Sequence, residues 1–218
     1  HWYSSTGWVM WNAQMSGLLN GTTCVIFDGN PGGTKDKPDW STLWRFAAET
    51  GVTFFGAGAA FFANCLKAGV NLTTMPALKR VRALGTTGSP LSEEAQRWGT
   101  TQFQVLRSED ATASSAGADI WWCNISGGTD FAGAFIGGNR ELPLVPGEMQ
   151  CRLLGCAVES WNEQGQPVEG DVGELVCAQP IPSMPLYFWN DTNNTRYLSS
   201  YFDMYPAGHG RKPGGGDG

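Results

Sequence analysis

Histidine is scarce and cysteine unpatterned in this chain: 218 residues include two histidines, and the six cysteines, at 24, 65, 123, 151, 156 and 177, contain no CxxC pair. Too few ligands stand at metal-binding spacing to make a zinc site. No apolar stretch reaches the roughly 20 residues that a spanning helix needs. The chain opens on His1-Trp2-Tyr3, with neither an initiator Met nor a signal peptide. The start is therefore expected to lie inside a longer polypeptide, and the cysteines to be buried free thiols in a reducing, cytoplasmic compartment. Basic residues number 14 against 20 acids and are scattered, for a formal net charge of -6. Such a surface offers no footprint for nucleic acid or an anionic membrane. Small-molecule chemistry fits the composition better.

What the chain does have is an alternation of apolar runs and helical patterns from Gly21 to about Trp122, which predicts an α/β fold with a largely parallel sheet flanked by helices. Strands are expected at Thr22 to Phe27, Val52 to Phe55 and Arg80 to Leu84, with Phe103 to Leu106 and Ile120 to Cys123 completing the sheet. Trp40, Leu43, Trp44 and Ala47 recur at helical spacing ahead of Gly51, and Ala59 to Ala68 predicts a second helix. Ser92 is placed to cap a third, with Glu93 and Glu94 at the positive end of its dipole. After Pro146 the pattern changes to short β-type segments, Cys151 to Trp161 and Gly173 to Ala178, joined by the turn-prone Asn162 to Pro167. The organisation expected is an α/β part over 1–146, a smaller β-rich subdomain over 147–206, and a Gly- and Pro-rich disordered or aberrant tail over 207–218. Trp8, Trp11, Trp40, Trp44, Trp121 and Trp122 stand in apolar contexts and are expected in the core.

Two small-residue runs carry the chemistry. Gly85-Thr86-Thr87-Gly88-Ser89-Pro90 and Ser126-Gly127-Gly128-Thr129-Asp130 each follow an apolar segment directly. Backbone N–H groups and a hydroxyl can approach a phosphate closely there, and a carboxylate can face a metal. Taken alone, each is equally an ordinary turn, with Thr129 a turn cap and Asp130 a solvated acid. In open α/β sheets ligands bind outside the carboxyl ends of the strands, where both loops would lie.

Read together with Ser5-Thr6-Gly7-Trp8-Val9-Met10-Trp11-Asn12, Phe27-Asp28-Gly29-Asn30-Pro31, Gly147-Glu148-Met149-Gln150-Cys151 and Pro182-Ser183-Met184-Pro185-Leu186, these runs resemble the acetoacetyl-CoA synthetases. Those are acyl-adenylate-forming ligases, and the resemblance extends from about Trp2 to Pro206. It implies a ligase that uses ATP and Mg2+ to activate acetoacetate and then passes the acyl group to coenzyme A. By the same resemblance Thr129 binds the α-phosphate and Asp130 holds the magnesium ion, where many wider relatives carry Glu. Gly88, Ser89 and Pro90 lie along the adenine, and Ser126 and Gly128 belong to the nucleotide loop. Gly127 stands where acetyl-CoA synthetases carry a pocket-closing Trp, so a larger acid should fit, with Val9, Met10 and Thr87 as neighbours.

The resemblance also implies a Lys-closed phosphate loop before this segment and a small C-terminal domain with the adenylation Lys after it. Neither is in the sequence, so the chain alone is expected not to turn over. Asp217, after Gly216, is a displaced echo of the ribose-binding Asp. His209, in the same tail, is given no role. Three readings stay open beside the first: another short-chain acyl-CoA synthetase, a nucleotide-binding remnant without catalysis, and a secreted Trp- and Gly-rich module with three disulfides. The last would use the sequons at Asn20, Asn71, Asn124 and Asn193.

Overall fold

The structure is a computed structural model that describes residues 1–108 and 119–205. It divides into two compact units, residues 1–129 with 136–151, and residues 130–135 with the chain from 152 onward. The expected tail, with His209 and Asp217, lies outside the described residues.

The first unit holds helices α1 (Val9–Ser16), α2 (Thr42–Thr50), α3 (Ala59–Lys67) and α4 (Glu93–Ser108), and a parallel sheet of β1 (Phe54–Gly58), β2 (Ala83–Thr87) and β3 (Trp121–Asn124) in that order. Register pairs Gly56 with Gly85, and Thr86 with Asn124. Helices pack on this sheet through Leu43, Trp44, Phe55, Phe62, Leu84, Phe103 and Trp122, all fully buried. Trp44 stacks on Phe55 with ring centroids 4.2 Å apart. The tryptophans divide, however. Trp44 and Trp122 are in the core, whereas Trp8, Trp11, Trp40 and Trp121 are half-buried, and Trp121 lies under the Arg140 guanidinium at 4.7 Å.

Three expected strands need correction. Thr22 to Phe27 is not a strand. The free edge of β1 is instead taken by the first residues: Tyr3 N–H donates to the Gly56 carbonyl at 2.8 Å, and Gly56 N–H to that of His1 at 2.9 Å. An apolar β-rich run cannot join a sheet whose edge is occupied. Arg80 to Leu84 begins too early, because Pro76–Arg80 winds into a 3-10 turn, so the strand runs Ala83–Thr87 and takes in Gly85, Thr86 and Thr87, which read as loop. Phe103 to Leu106 is the C-terminal half of α4. Ala95, Gln96, Gly99, Phe103 and Leu106 form one buried helical face, while Gln104 reaches out to Asp119. The period, not the apolar run, decides. Ser92 caps this helix as expected, its hydroxyl accepting from Ala95 N–H at 3.2 Å.

Strands β4 (Ser126–Gly128), β5 (Gly133–Gly137) and β6 (Cys151–Arg152) make a three-stranded sheet. In the second unit β7 (Val158–Trp161) and β8 (Glu174–Cys177) pair antiparallel. The turn between them is held by the Asn162 side chain, which accepts from Gln164 and Gln166 N–H groups. The first turn of helix α5 (Thr195–Tyr201) is held by Asp191, whose carboxylate accepts from Arg196 and Tyr197 N–H groups at 2.9 and 2.8 Å. No helix among the described residues is long and apolar enough to cross a membrane, and the six cysteines are free thiols.

Candidate functional site

Strands β2 and β3 end side by side, and the chain leaves both at a polar residue. Past the Thr86 and Asn124 pair the backbone stays together: Ile125 N–H donates to the Thr86 carbonyl at 2.9 Å, and Thr87 Oγ1–H to the Ile125 carbonyl at 2.7 Å. Gly88 then turns away with φ +91°, a conformation that side chains with a Cβ rarely adopt. The result is a cavity of about 240 Å³ at the carboxyl ends of these strands. Thr86 to Leu91 make one wall, Asn124 to Gly127 the other, and Gly147 and Met149 close it. Its size is below the roughly 300–1,000 Å³ of drug-sized ligand sites, which suits one planar group with part of its substituent.

The polar atoms of this cavity are incompletely paired. Thr86 is 2% and Asn124 7% exposed, and neither Thr86 Oγ1 nor Asn124 Oδ1 has a hydrogen-bond partner. An unpaired buried polar atom costs on the order of 1–3 kcal/mol, and both of these belong to residues that line the cavity. A larger open cleft of about 720 Å³, walled by Pro38 to Ser41, Arg45, Ala68 and Met75, contains an ion pair, Arg45 to Asp39 at 2.7 Å. Its charges already satisfy each other. It holds none of the site residues expected from the sequence.

Of those residues, Thr87, Gly88, Ser89, Pro90, Ser126 and Gly127 line the smaller cavity. Val9, Met10, Gly128 and Thr129 belong to the same unit without lining it. Val9 N–H donates to Thr129 Oγ1 at 3.0 Å. A hydroxyl that accepts in this way keeps its proton to give. Met10 is buried. Asp130 is exposed in the second unit, where its carboxylate accepts from the Tyr201 phenol. Burial and this carboxylate push the Tyr201 phenol up to about 12. No group of three or more His, Cys, Asp or Glu among the described residues could hold a metal ion. A magnesium ion bound by one carboxylate and substrate phosphates needs none.

Thr86 stood in the Gly85 to Pro90 run without a role of its own, and Asn124, Gln96 and Tyr201 were not expected in the site. Asn124 stood out only as a sequon, yet its side chain is buried and hydrogen-bonded and is no glycan acceptor in the folded chain. A signal did exist for Gln96, a polar residue in register with the apolar face of α4.

No protein-family profile matches the chain. It is 36% identical over 206 residues to an acetoacetyl-CoA synthetase of Gallus gallus, which covers 94% of this chain and 28% of that protein. With an acetoacetyl-coenzyme A synthetase of Rhizobium meliloti it shares 36% identity over 204 residues, 94% of this chain and 29% of the relative. The solved structure of an acetoacetyl-CoA synthetase from Streptomyces lividans superposes with a TM-score of 0.79 at 44% identity, over 94% of this chain and 30% of that one. An anthranilate CoA ligase in complex with anthranoyl-AMP shares the fold, with a TM-score of 0.59 at 17% identity over 81% of this chain. The chain thus spans somewhat over a quarter of the length of the curated relatives it matches.

Proposed function

We propose that this chain, a homologue of the acetoacetyl-CoA synthetases along 94% of its length, carries nucleotide- and acid-binding parts of an adenylate-forming acetoacetate–CoA ligase. In that reaction an acetoacetate oxygen attacks the α-phosphorus of ATP and the bond to the β-phosphate breaks, releasing pyrophosphate. The thiol of coenzyme A then attacks the acyl carbon and AMP leaves. The single observation that carries the reading is the pair of unpartnered buried acceptors, Asn124 Oδ1 and Thr86 Oγ1, in a cavity whose wall is the Gly88-Ser89-Pro90 turn.

Each residue then has a task its surroundings allow. The flat backbone of Gly88 to Pro90 takes the face of the adenine, and Asn124 Oδ1 accepts from its exocyclic amine. Thr129 gives its free hydroxyl proton to an α-phosphate oxygen while Val9 N–H holds the oxygen in place. Ser126 and Gly128 are the two ends of β4, which leads into Thr129. Asp130 would hold Mg2+, which supplies positive charge against the phosphate oxygens. Gly127 and Thr87, with Val9 and Met10 behind, leave room for a four-carbon acid. Asp217, outside the described residues, is assigned to the ribose hydroxyls. The enzyme is assigned to the cytoplasm and to ketone-body and lipid metabolism, and the 218 residues alone are expected to bind nucleotide without turnover.

Calorimetry of the chain with AMP tests this directly. Binding that weakens about tenfold or more in Asn124→Leu, with an unchanged fold by circular dichroism, supports it. An unaltered AMP affinity in that variant removes Asn124 from the site.

A further inference from the structure

Asn124 can serve as an acceptor only if its amide is held one way round, and nothing in an isolated asparagine sets that choice. The two ends of the amide are nearly the same shape. What distinguishes them here is a chain of contacts that runs through Gln96, a fully buried residue of α4 that does not line the cavity.

Gln96 Oε1 receives two donors, Gly147 N–H at 3.0 Å and Asn124 Nδ2 at 3.2 Å. Asn124 Nδ2 gives its second proton to the Glu148 carbonyl at 3.0 Å. Both outer members are backbone groups: an N–H can only donate and a carbonyl only accept. Gly147 therefore fixes the end of the Gln96 amide that faces inward, because the turned amide would set NH2 against N–H. Gln96, once fixed, demands a donor from Asn124. Glu148 demands the same. Both Asn124 protons are then committed, and Oδ1 is left buried and without a partner on a residue that lines the cavity.

We infer that Gln96 is a positioning residue which, with the Gly147 and Glu148 backbone, locks the Asn124 amide so that the cavity requires a hydrogen-bond donor from its ligand. The inference rests on the nucleotide reading for the identity of that ligand, an amino-purine, but the lock itself belongs to the apo chain. A purine with an amino group at its 6-position meets Oδ1 with a proton. One with a carbonyl there sets oxygen against oxygen, and the amide cannot turn to help.

Two measurements on the 218-residue chain test this, with AMP and IMP as probes and Gln96→Leu and Gln96→Glu as variants. Calorimetry should show AMP bound about tenfold or more tightly than IMP, since a site with a committed buried acceptor rejects a ligand lacking the donor. In Gln96→Leu the preference should fall to within about threefold, and Gln96→Glu, which keeps an oxygen for both donors, should restore it. Independently, NMR should show two distinct, slowly exchanging Asn124 Nδ2 protons, with exchange at least about tenfold faster in Gln96→Leu. An equal loss of affinity for both nucleotides in Gln96→Leu, or unchanged Asn124 proton exchange, overturns the inference. If the chain binds neither nucleotide while the Asn124 protons respond as stated, the lock stands and the nucleotide reading falls.

Discussion

The phenol of Tyr201 donates a hydrogen bond to the carboxylate of Asp130 across 71 residues of sequence. A carboxylate has about four lone-pair sites, so one phenol can fix its rotamer and still leave an oxygen open to a cation. Tyr201→Phe removes the O–H and keeps the ring with its contacts to Phe188, Tyr197 and Phe202. Introduced at this position in a complete enzyme, it should raise the apparent KM for Mg–ATP about fivefold, equivalent to ~1 kcal/mol, with little change in Tm. A magnesium titration identical to that of the unsubstituted enzyme would show that the phenol does not orient Asp130.

Trp2 sets a second test. A Cβ built on Gly85 would stand 2.4 Å from Trp2 Cζ3, and one on Gly56, its register partner, 2.2 Å from Trp2 Cε3. The indole lies directly across the two glycines. Gly85→Ala should therefore cost about 1–3 kcal/mol by overpacking, and Trp2→Ala about 3–5 by emptying the slot. The double variant should cost less than the sum, because each change makes room for the other. Additive losses in urea denaturation would separate the two sites.

Cys65 supplies a pH dependence. It is fully buried, with Trp44 Nε1–H directed at its sulfur at 3.3 Å. Burial raises its thiol from 9.0 to about 12, opposed in part by the Trp44 bond. Because the folded value is the higher, the folded chain holds the proton more tightly, and this contribution is present below pH 9 and lost as pH rises toward 12. Melting curves between pH 8 and 11 should fall more steeply for the parent chain than for Cys65→Ala, and native-state alkylation at pH 8 should reach Cys65 last. Equal slopes for the two chains contradict the assignment.

These contacts mark what could and could not be read from the sequence. Periodicity and punctuation gave the helix after Ser92 and, to within a residue, the strand ahead of Ser126, but misplaced the strand before Gly88, since a cap and a 3.6-residue period act over a few residues whereas the 3-10 turn at Pro76–Arg80 carries no such mark. The edge of β1 could not be read, because whether Thr22 to Phe27 or His1 to Tyr3 occupies it depends on which segment reaches it. The site was legible in its hydroxyls and glycines and illegible in its amides. Asn124 acquires a direction only from Gln96, itself set by Gly147, and from the Glu148 carbonyl, 28 and 24 residues away along the chain, and no local pattern encodes that. Gln96 was visible only as an oddity, a polar side chain on an apolar helical face.

The specificity reading gives the last test. Gly127 lines the cavity wall opposite the Thr87 to Pro90 turn, and the whole cavity measures about 240 Å³. Gly127 has no side chain, and an indole there would fill the space beside it that the acid is proposed to take. With Gly127→Trp in a complete enzyme, acetoacetate should lose its place while acetate, two carbons shorter, still fits. The ratio of kcat/KM for acetate over acetoacetate should rise about tenfold or more, the range that one or two carbons command in a closed apolar pocket. Uniform weakening for both acids would instead mean that the indole blocks the nucleotide, which AMP calorimetry on the same variant separates. A ratio that does not move places the acid elsewhere and takes Gly127 out of the selection of substrate.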